Sequence, residues 1–263
     1  MGKLTELATG KLAGNTSTGE FTNAMNSIKK SLSAHENELS RYWKKTNNST
    51  DPRVFSSCSR MILEQGSAAI IGRLDPIRLI TIAKGSSSVD FKIGQRNASS
   101  FIWNKDVIPD IKPIGGSYWT QESIGKGIHR SLFEGHLADY IFSSAHDSIL
   151  DTLTEEIKKA PTIPHWIIEI LKIEKGEAIL SKLRKSASEA YSTLSKGIHF
   201  EFFLGRETQP NIDEIKKATS LAVYSIATTS LYTHLSDIGI NKIGRKIATK
   251  NFISTIGEYQ YNG

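Results

Sequence analysis

Residues 218–236, ATSLAVYSIATTSLYTHLS, form an uncharged stretch in which eight positions are Ser or Thr. A transmembrane helix needs about 20 predominantly apolar residues, so a stretch with this many hydroxyl groups is too polar to face lipid. The length and the lack of charge are instead typical of a helix that is buried on all sides. We therefore predict that a helix over about 211–237 lies at the centre of the protein.

The composition is that of a folded protein without cysteine-based sites. The chain has 263 residues, of which 38% are hydrophobic and 23% charged, with a net charge of +6. These fractions are ordinary for a globular domain. Cys58 is the single cysteine, so neither an intramolecular disulfide nor a cysteine-based zinc site can form. The first residues lack the apolar core of a secretory signal, which predicts a cytoplasmic protein without a membrane span.

Apolar residues recur at helical spacing through most of the chain, which predicts an all-α, multi-helix assembly. Asp51-Pro52 and Asp75-Pro76 are typical helix starts, because the acid can cap the helix and proline is favoured in the first turn. Alternating apolar and polar residues near 88–104 are equally compatible with one small β-hairpin and with a further helix. The predicted helices cover 19–46, 52–73, 76–84, 120–158, 163–172, 175–200, 211–237 and 240–257.

The domain organisation is predicted to be simple. Residues 1–16 are rich in Gly, Thr and Lys and are predicted to form a flexible N-terminus. Residues 17–263 are predicted to form one helical domain, with Pro161 as the candidate boundary of a subdivision. No segment repeats at a fixed period, so a solenoid is not expected.

Several common activities are excluded by missing motifs. Lys126 in IGKGIH lacks both the earlier glycine and the following Ser or Thr of a phosphate-binding loop. The chain has no HExxH, no GxSxG and no kinase motif set. Carboxylate-bridged metal bundles use Glu-x-x-His pairs, and none occurs. We therefore expect neither a cofactor nor a metal.

A polar stripe follows one side of the helix predicted around 127–151. At about 100° per residue, His129, His136, Tyr140 and Asp147 fall within roughly 20° of one line. Two imidazoles, a phenol and a carboxylate on one face are typical of a proton-transfer surface, and equally of a solvated helix face. The two histidines are about 10 Å apart along the axis, which is too far for one metal ion.

Arg130 and His136 belong to the string R-S-L-F-E-G-H, which resembles the R-x(4–6)-H motif of the HEPN family. That family consists of small helical domains and includes many bacterial RNases of toxin–antitoxin and phage-defence systems. The resemblance implies a metal-independent endoribonuclease that acts at a dimer interface, with Arg130 binding phosphate and His136 handling the 2′-hydroxyl proton. The family commonly has Asn, Asp or His after the arginine, where this chain has Ser131. On a straight helix the two side chains would diverge by about 120°, so the motif requires a helix break at Gly135.

Two clusters of basic residues are candidate nucleic-acid contacts. Lys242, Arg245, Lys246 and Lys250 fall at helical spacing in the last predicted helix, which predicts an amphipathic basic face. Tyr42 and Trp43 lie among the basic residues of the first long helix, an arrangement that suits base stacking with single-stranded nucleic acid and also an ordinary helix edge.

Two functional hypotheses follow from these patterns. The first is a helical interaction subunit of a bacterial, antiviral-defence type of assembly, which contacts nucleic acid or a protein partner through basic helical faces and forms a homo-oligomer or a larger complex. The alternative is a HEPN-like RNase that uses Arg130 and His136.

Overall fold

The computed structural model describes residues 2–11, 19–44, 51–87, 101–109, 131–158, 163–198 and 210–261, with only the backbone described at 135–139. These residues form nine α-helices and one π-helical turn at Trp103–Val107, and contain no strand. The all-α prediction is therefore confirmed. The helices are α1 (Lys3–Thr9), α2 (Glu20–Lys44), α3 (Pro52–Leu74), α4 (Pro76–Ser86), α5 (Gly135–Ile157), α6 (His165–Leu171), α7 (Gly176–Ile198), α8 (Ile212–Leu235) and α9 (Arg245–Glu258).

Helix α8 is the buried central helix that its uncharged sequence predicts. Every residue from Ala218 to His234 is buried, and α1, α3, α5, α7 and α9 pack around it. Several of its hydroxyl groups donate to carbonyls of the same helix, as Ser225 Oγ does to Leu221 O at 2.8 Å. This local bonding lets a hydroxyl-rich helix be buried, because a buried hydroxyl without a partner is costly.

The predicted helix starts are also confirmed. The Asp51 carboxylate accepts a hydrogen bond from the Arg53 amide at 2.9 Å, and the Asp75 carboxylate accepts one from the Arg78 amide at 3.1 Å. Each acid is followed by proline in the first turn. These caps satisfy amide groups that a helix start otherwise leaves unpaired.

The prediction of a flexible N-terminus is wrong for helix α1, in which Leu4, Leu7 and Ala8 are buried. The cause is Glu36 of α2, a buried side chain whose carboxylate accepts hydrogen bonds from the amides of Leu4 at 3.0 Å and Thr5 at 2.9 Å. A carboxylate near a helix N-terminus also interacts favourably with the helix dipole. Since this cap lies some thirty residues away in the chain, local composition could not reveal it. Residues 12–16 lie outside the described residues.

The hairpin predicted near 88–104 falls largely outside the described residues. In its described part, Phe101 and Ile102 are irregular and Trp103 begins the π-helical turn, so no strand is present there. The turn is anchored by backbone hydrogen bonds from Leu132 to Asp106 O at 2.8 Å and from Phe133 to Val107 O at 3.0 Å. This pairing holds the chain just before α5 against the turn.

Residues from both sides of Pro161 contribute to one hydrophobic core. Helix α5 before it packs on α7 and α8 after it, while Pro161 itself lies outside the described residues. Among the helices that the structure describes, none has the length and apolar content needed to cross a membrane.

Candidate nucleic-acid interface

Helix α9 begins with two cations and no cap. It starts at Arg245, about five residues later than its periodicity predicts, and its N-cap Gly244 provides no side-chain hydrogen bond. Arg245 and Lys246 occupy the first turn, Lys250 follows in the next turn, and all three are exposed. A cation in the first turn opposes the helix dipole, which favours negative charge there.

The same three cations have no acidic partner among the residues that the structure describes: none of the ion pairs found there includes Arg245, Lys246 or Lys250. Arg245 donates instead to the Ser148 carbonyl of α5 at 3.2 Å. Some exposed lysines elsewhere are paired, such as Lys84 with Glu20 at 3.0 Å. The α9 side chains therefore present uncompensated positive charge to solvent.

Lys242 does not belong to this helix face, which corrects the sequence interpretation. It precedes α9, is half-buried, and its ammonium group donates to the Ser236 carbonyl just after the end of α8. A cation is favoured at a helix C-terminus, where carbonyls lack intrahelical partners. Lys242 thus holds the connection between α8 and α9 in place.

Lys11 is a neighbour of this surface that the sequence patterns did not single out. Its amide donates to the Asn241 carbonyl at 2.8 Å, so the chain leaving α1 borders the segment leading to α9, and Lys11 is exposed. We call Lys11, Arg245, Lys246 and Lys250 the cationic surface. Ile247 lies among them with 52% of its surface exposed, which adds an apolar contact to the charges.

Tyr42 and Trp43 are not free stacking platforms. Both are half-buried; the Tyr42 ring stacks on Phe55 at a centroid distance of 6.0 Å, and Trp43 meets Tyr259 edge to face at 5.5 Å. These contacts hold α2 against α3 and α9. The ordinary helix-edge interpretation therefore accounts for both aromatic residues.

The polar stripe is only partly described. Tyr140 and Asp147 are exposed on α5, as predicted. Residues 131–134 are not helical and α5 begins at Gly135, so the prediction of one helix over 120–158 is wrong at 131–134, while its part over 120–130 lies outside the described residues. His129 and Arg130 lie outside the described residues, and His136 is described only as backbone in the first turn of α5.

His146 is a buried histidine that sequence reasoning missed. Its Nε2 lies 2.9 Å from the Ile173 carbonyl and its Nδ1 lies 2.7 Å from the Tyr232 hydroxyl. Because a carbonyl only accepts, Nε2 carries a proton, and in the neutral ring Nδ1 accepts from the phenol. Burial raises the pKa of Tyr232, which keeps the phenol a donor. Its burial could have been predicted from the sequence, because His146 lies four residues after the buried Phe142 and three before the buried Ile149. Residues at this spacing share one face of a helix.

A second missed cluster joins Arg73 of α3 to His234 of α8. Arg73 Nη2 lies 2.9 Å from His234 Nδ1, and His234 Nε2 lies 2.8 Å from the Leu7 carbonyl. Arginine only donates and a carbonyl only accepts, so the imidazole is neutral with its proton on Nε2. Burial, followed by the charge of Arg73, lowers the pKa of His234 to about 3.

No group of three or more His, Cys, Asp or Glu side chains in the described part of the chain is arranged to hold a metal ion. Comparisons with protein families, curated proteins and solved structures find no match to this chain.

Proposed function

We propose that the protein is a helical interaction subunit that binds the phosphate backbone of nucleic acid through the cationic surface. The observation that carries the proposal is the start of α9, where two cations occupy a first turn that disfavours them and lack an acidic partner among the described residues. Positions at which a sequence departs from a local stability rule are expected to be functional or strained sites. An external anion supplies the missing compensation.

The bacterial, antiviral-defence setting is part of the same proposal. It depends on the HEPN-like string at 130–136, since the basic surface alone fits many assemblies. A protein subunit that brings nucleic acid to a larger complex, as a homo-oligomer or with another chain, needs no catalytic residues of its own.

The test compares the salt dependence of nucleic-acid binding between charge-matched variants. The first variant carries Arg245→Glu, Lys246→Glu and Lys250→Glu; the control carries Lys30→Glu, Lys185→Glu and Lys196→Glu, which are exposed residues of α2 and α7 and give the same change in net charge. Fluorescence anisotropy with a labelled single-stranded RNA and a labelled duplex DNA, from 50 to 300 mM salt, gives the affinity and its slope.

We expect the α9 variant to lose at least tenfold in affinity, and the slope of log K against log salt to decrease by about 2–3, because each phosphate contact contributes about 0.7–0.9. The control variant is expected to keep most of the wild-type slope of log K against log salt. Equal losses in both variants would show that net charge alone matters, and binding of neither probe by the wild type would overturn the proposal.

A second candidate function is the HEPN-like RNase, favoured by the helix break. Because residues 131–134 are not helical and α5 begins at Gly135, no straight helix spans 130–136, and the divergence of about 120° expected on such a helix does not apply. In this proposal Arg130 binds the phosphate and His136 takes the 2′-hydroxyl proton.

The RNase proposal is tested by expression toxicity and RNA integrity. The wild type is compared with His136→Ala and with the control His165→Ala, which replaces an exposed histidine on α6. RNA cleavage that is lost only with His136→Ala supports the RNase. Cleavage that persists in that variant, or its absence in the wild type, rejects it.

A further inference from the structure

The segment that leads into the cationic surface, residues 236–244, is held by one arginine and one histidine. The Ile240 amide donates to the Arg73 carbonyl at 3.0 Å, and Arg73 Nε donates back to the Ile240 carbonyl at 3.1 Å. The Ile243 amide donates to His234 Nδ1 at 3.2 Å. Two residues after Ile243, the chain enters α9 at Arg245.

Arg73 is unusual because its guanidinium is fully buried and its hydrogen-bond partners are neutral groups. Besides Ile240 O and His234 Nδ1, it donates to the Leu7 carbonyl at 3.3 Å and to Thr233 Oγ1 at 3.0 Å. A buried cation is costly unless its donors are satisfied. These hydrogen bonds therefore favour one fixed placement of the groups that accept them. Burial lowers the pKa of Arg73 to about 9.

The same cluster also fixes the other edge of the cationic surface. The Leu7 carbonyl of α1 accepts from both Arg73 and His234, and α1 leads through Gly10 to Lys11. Gly10 has a φ of +70°, and a Cβ there would come within 1.9 Å of the Asn241 carbonyl oxygen. Hydrogen bonds to Arg73 and His234 thus hold the end of α1 close to the segment that leads into α9.

We infer that Arg73 and His234 are positioning residues, which hold Lys11 and the α9 cations in a single arrangement for binding phosphates. This inference rests on the proposed function. Neither residue touches the ligand. Their contribution is preorganisation, because a binding surface that is already ordered loses less conformational entropy when the ligand binds.

The experiment measures RNA affinity in His234→Phe, which removes the acceptor of Arg73 and of the Ile243 amide, and in His234→Gln, whose amide can accept and donate. The control for general loss of stability is Leu194→Ala on α7, a fully buried residue in a helix that packs on α3, α5 and α8. Urea titration establishes that each variant is folded under the binding conditions, and hydrogen exchange follows the amides of Ile240 and Ile243.

We expect His234→Phe to weaken binding at least fivefold and to accelerate exchange at both amides, His234→Gln to recover part of each, and Leu194→Ala to bind within twofold of the wild type. Gly10→Ala, whose added Cβ would displace the Asn241 carbonyl and lie 3.3 Å from Arg73 Nε, is expected to weaken binding in the same way. Accelerated exchange with unchanged affinity overturns the inference and leaves the proposed function intact. A wild type that binds no nucleic acid overturns the proposed function itself, and the inference with it.

Discussion

Helices α8 and α9 follow each other in the chain but begin in opposite ways. At the start of α8 the Asn211 side chain accepts from the amides of Asp213 at 3.0 Å and Glu214 at 2.9 Å, and the Glu214 carboxylate accepts in return from the Asn211 amide at 2.8 Å. Asp213 and Glu214 also place negative charge in the first turn. Helix α9 has glycine at its N-cap and two cations, Arg245 and Lys246, in its first turn.

The difference shows which of the two helix starts is specified locally. The start of α8 is stabilised by its own side chains, as a capping box is expected to be. The segment just before α9 is held by Arg73 and His234, and the first turn of α9 has no side-chain cap. A helix that is anchored by tertiary contacts can carry unfavourable first-turn charge, because its position no longer depends on that turn.

The largest expected effect is a loss of stability in acid that comes from His234. Its folded pKa of about 3 lies below the value of 6.5 that it has when unfolded, so below pH 6.5 the unfolded chain binds a proton that the folded chain does not. The contribution of neutral His234 to the free energy of unfolding is therefore complete above pH 6.5 and is lost as the pH falls toward 3. Between pH 7 and 5 this histidine accounts for about 2 kcal/mol of unfolding free energy.

Urea titrations of the wild type and His234→Gln at pH 7 and pH 5 measure this effect, since contributions of the other histidines cancel between the two proteins. Exchange at the Ile243 amide should accelerate in acid more than exchange at the Glu214 amide, after correction for intrinsic rates. Equal pH dependence of the two proteins would mean that His234 does not hold the α9 start as described.

The next effect separates the two helix starts directly. Asn211→Ala is expected to lower the free energy of unfolding by about 1 kcal/mol, because two amides of α8 lose their cap. Gly244→Ala is expected to change the free energy of unfolding by less than about 0.5 kcal/mol, because the lower entropy of the unfolded chain offsets the poorer N-cap preference of alanine. The φ of −58° at Gly244 suits alanine, and nothing lies within 4 Å of the added Cβ. Chemical denaturation measures the free energy of unfolding of both variants. If Gly244→Ala lost as much stability as Asn211→Ala, the described difference between the two helix starts would be wrong.

The smallest effect concerns first-turn charge. Lys246→Glu is expected to raise the free energy of unfolding by about 0.5 kcal/mol while weakening nucleic-acid binding, and Asp213→Lys is expected to lower it by about as much without affecting binding. Thermal and urea unfolding at low salt measure the stability changes, and both should shrink in 1 M salt. If Lys246→Glu destabilised the protein, the first turn of α9 would not be under electrostatic strain.

Much of the fold was predictable because the relevant signals are local. Helical periodicity, the Asp-Pro starts and the uncharged stretch gave the all-α class and the buried α8. The cationic surface was predictable only in part: Arg245, Lys246 and Lys250 were found from their spacing, whereas Lys242 proved to be bonded to Ser236 and Lys11 was missed. Tyr42 and Trp43 have partners on other helices, which periodicity does not reveal.

The sequence by itself determined where α3, α4 and α8 begin and that α8 is buried, since caps and hydrophobic patterns act between residues that are neighbours in the chain. Only the tertiary structure decided that α1 is an ordered helix, capped by Glu36, and that α9 begins over Arg73 and His234. These contacts join residues that are from about 30 to more than 160 positions apart. Their geometry exists only after the helices have packed, because the buried polar groups must then find one another to offset the loss of water.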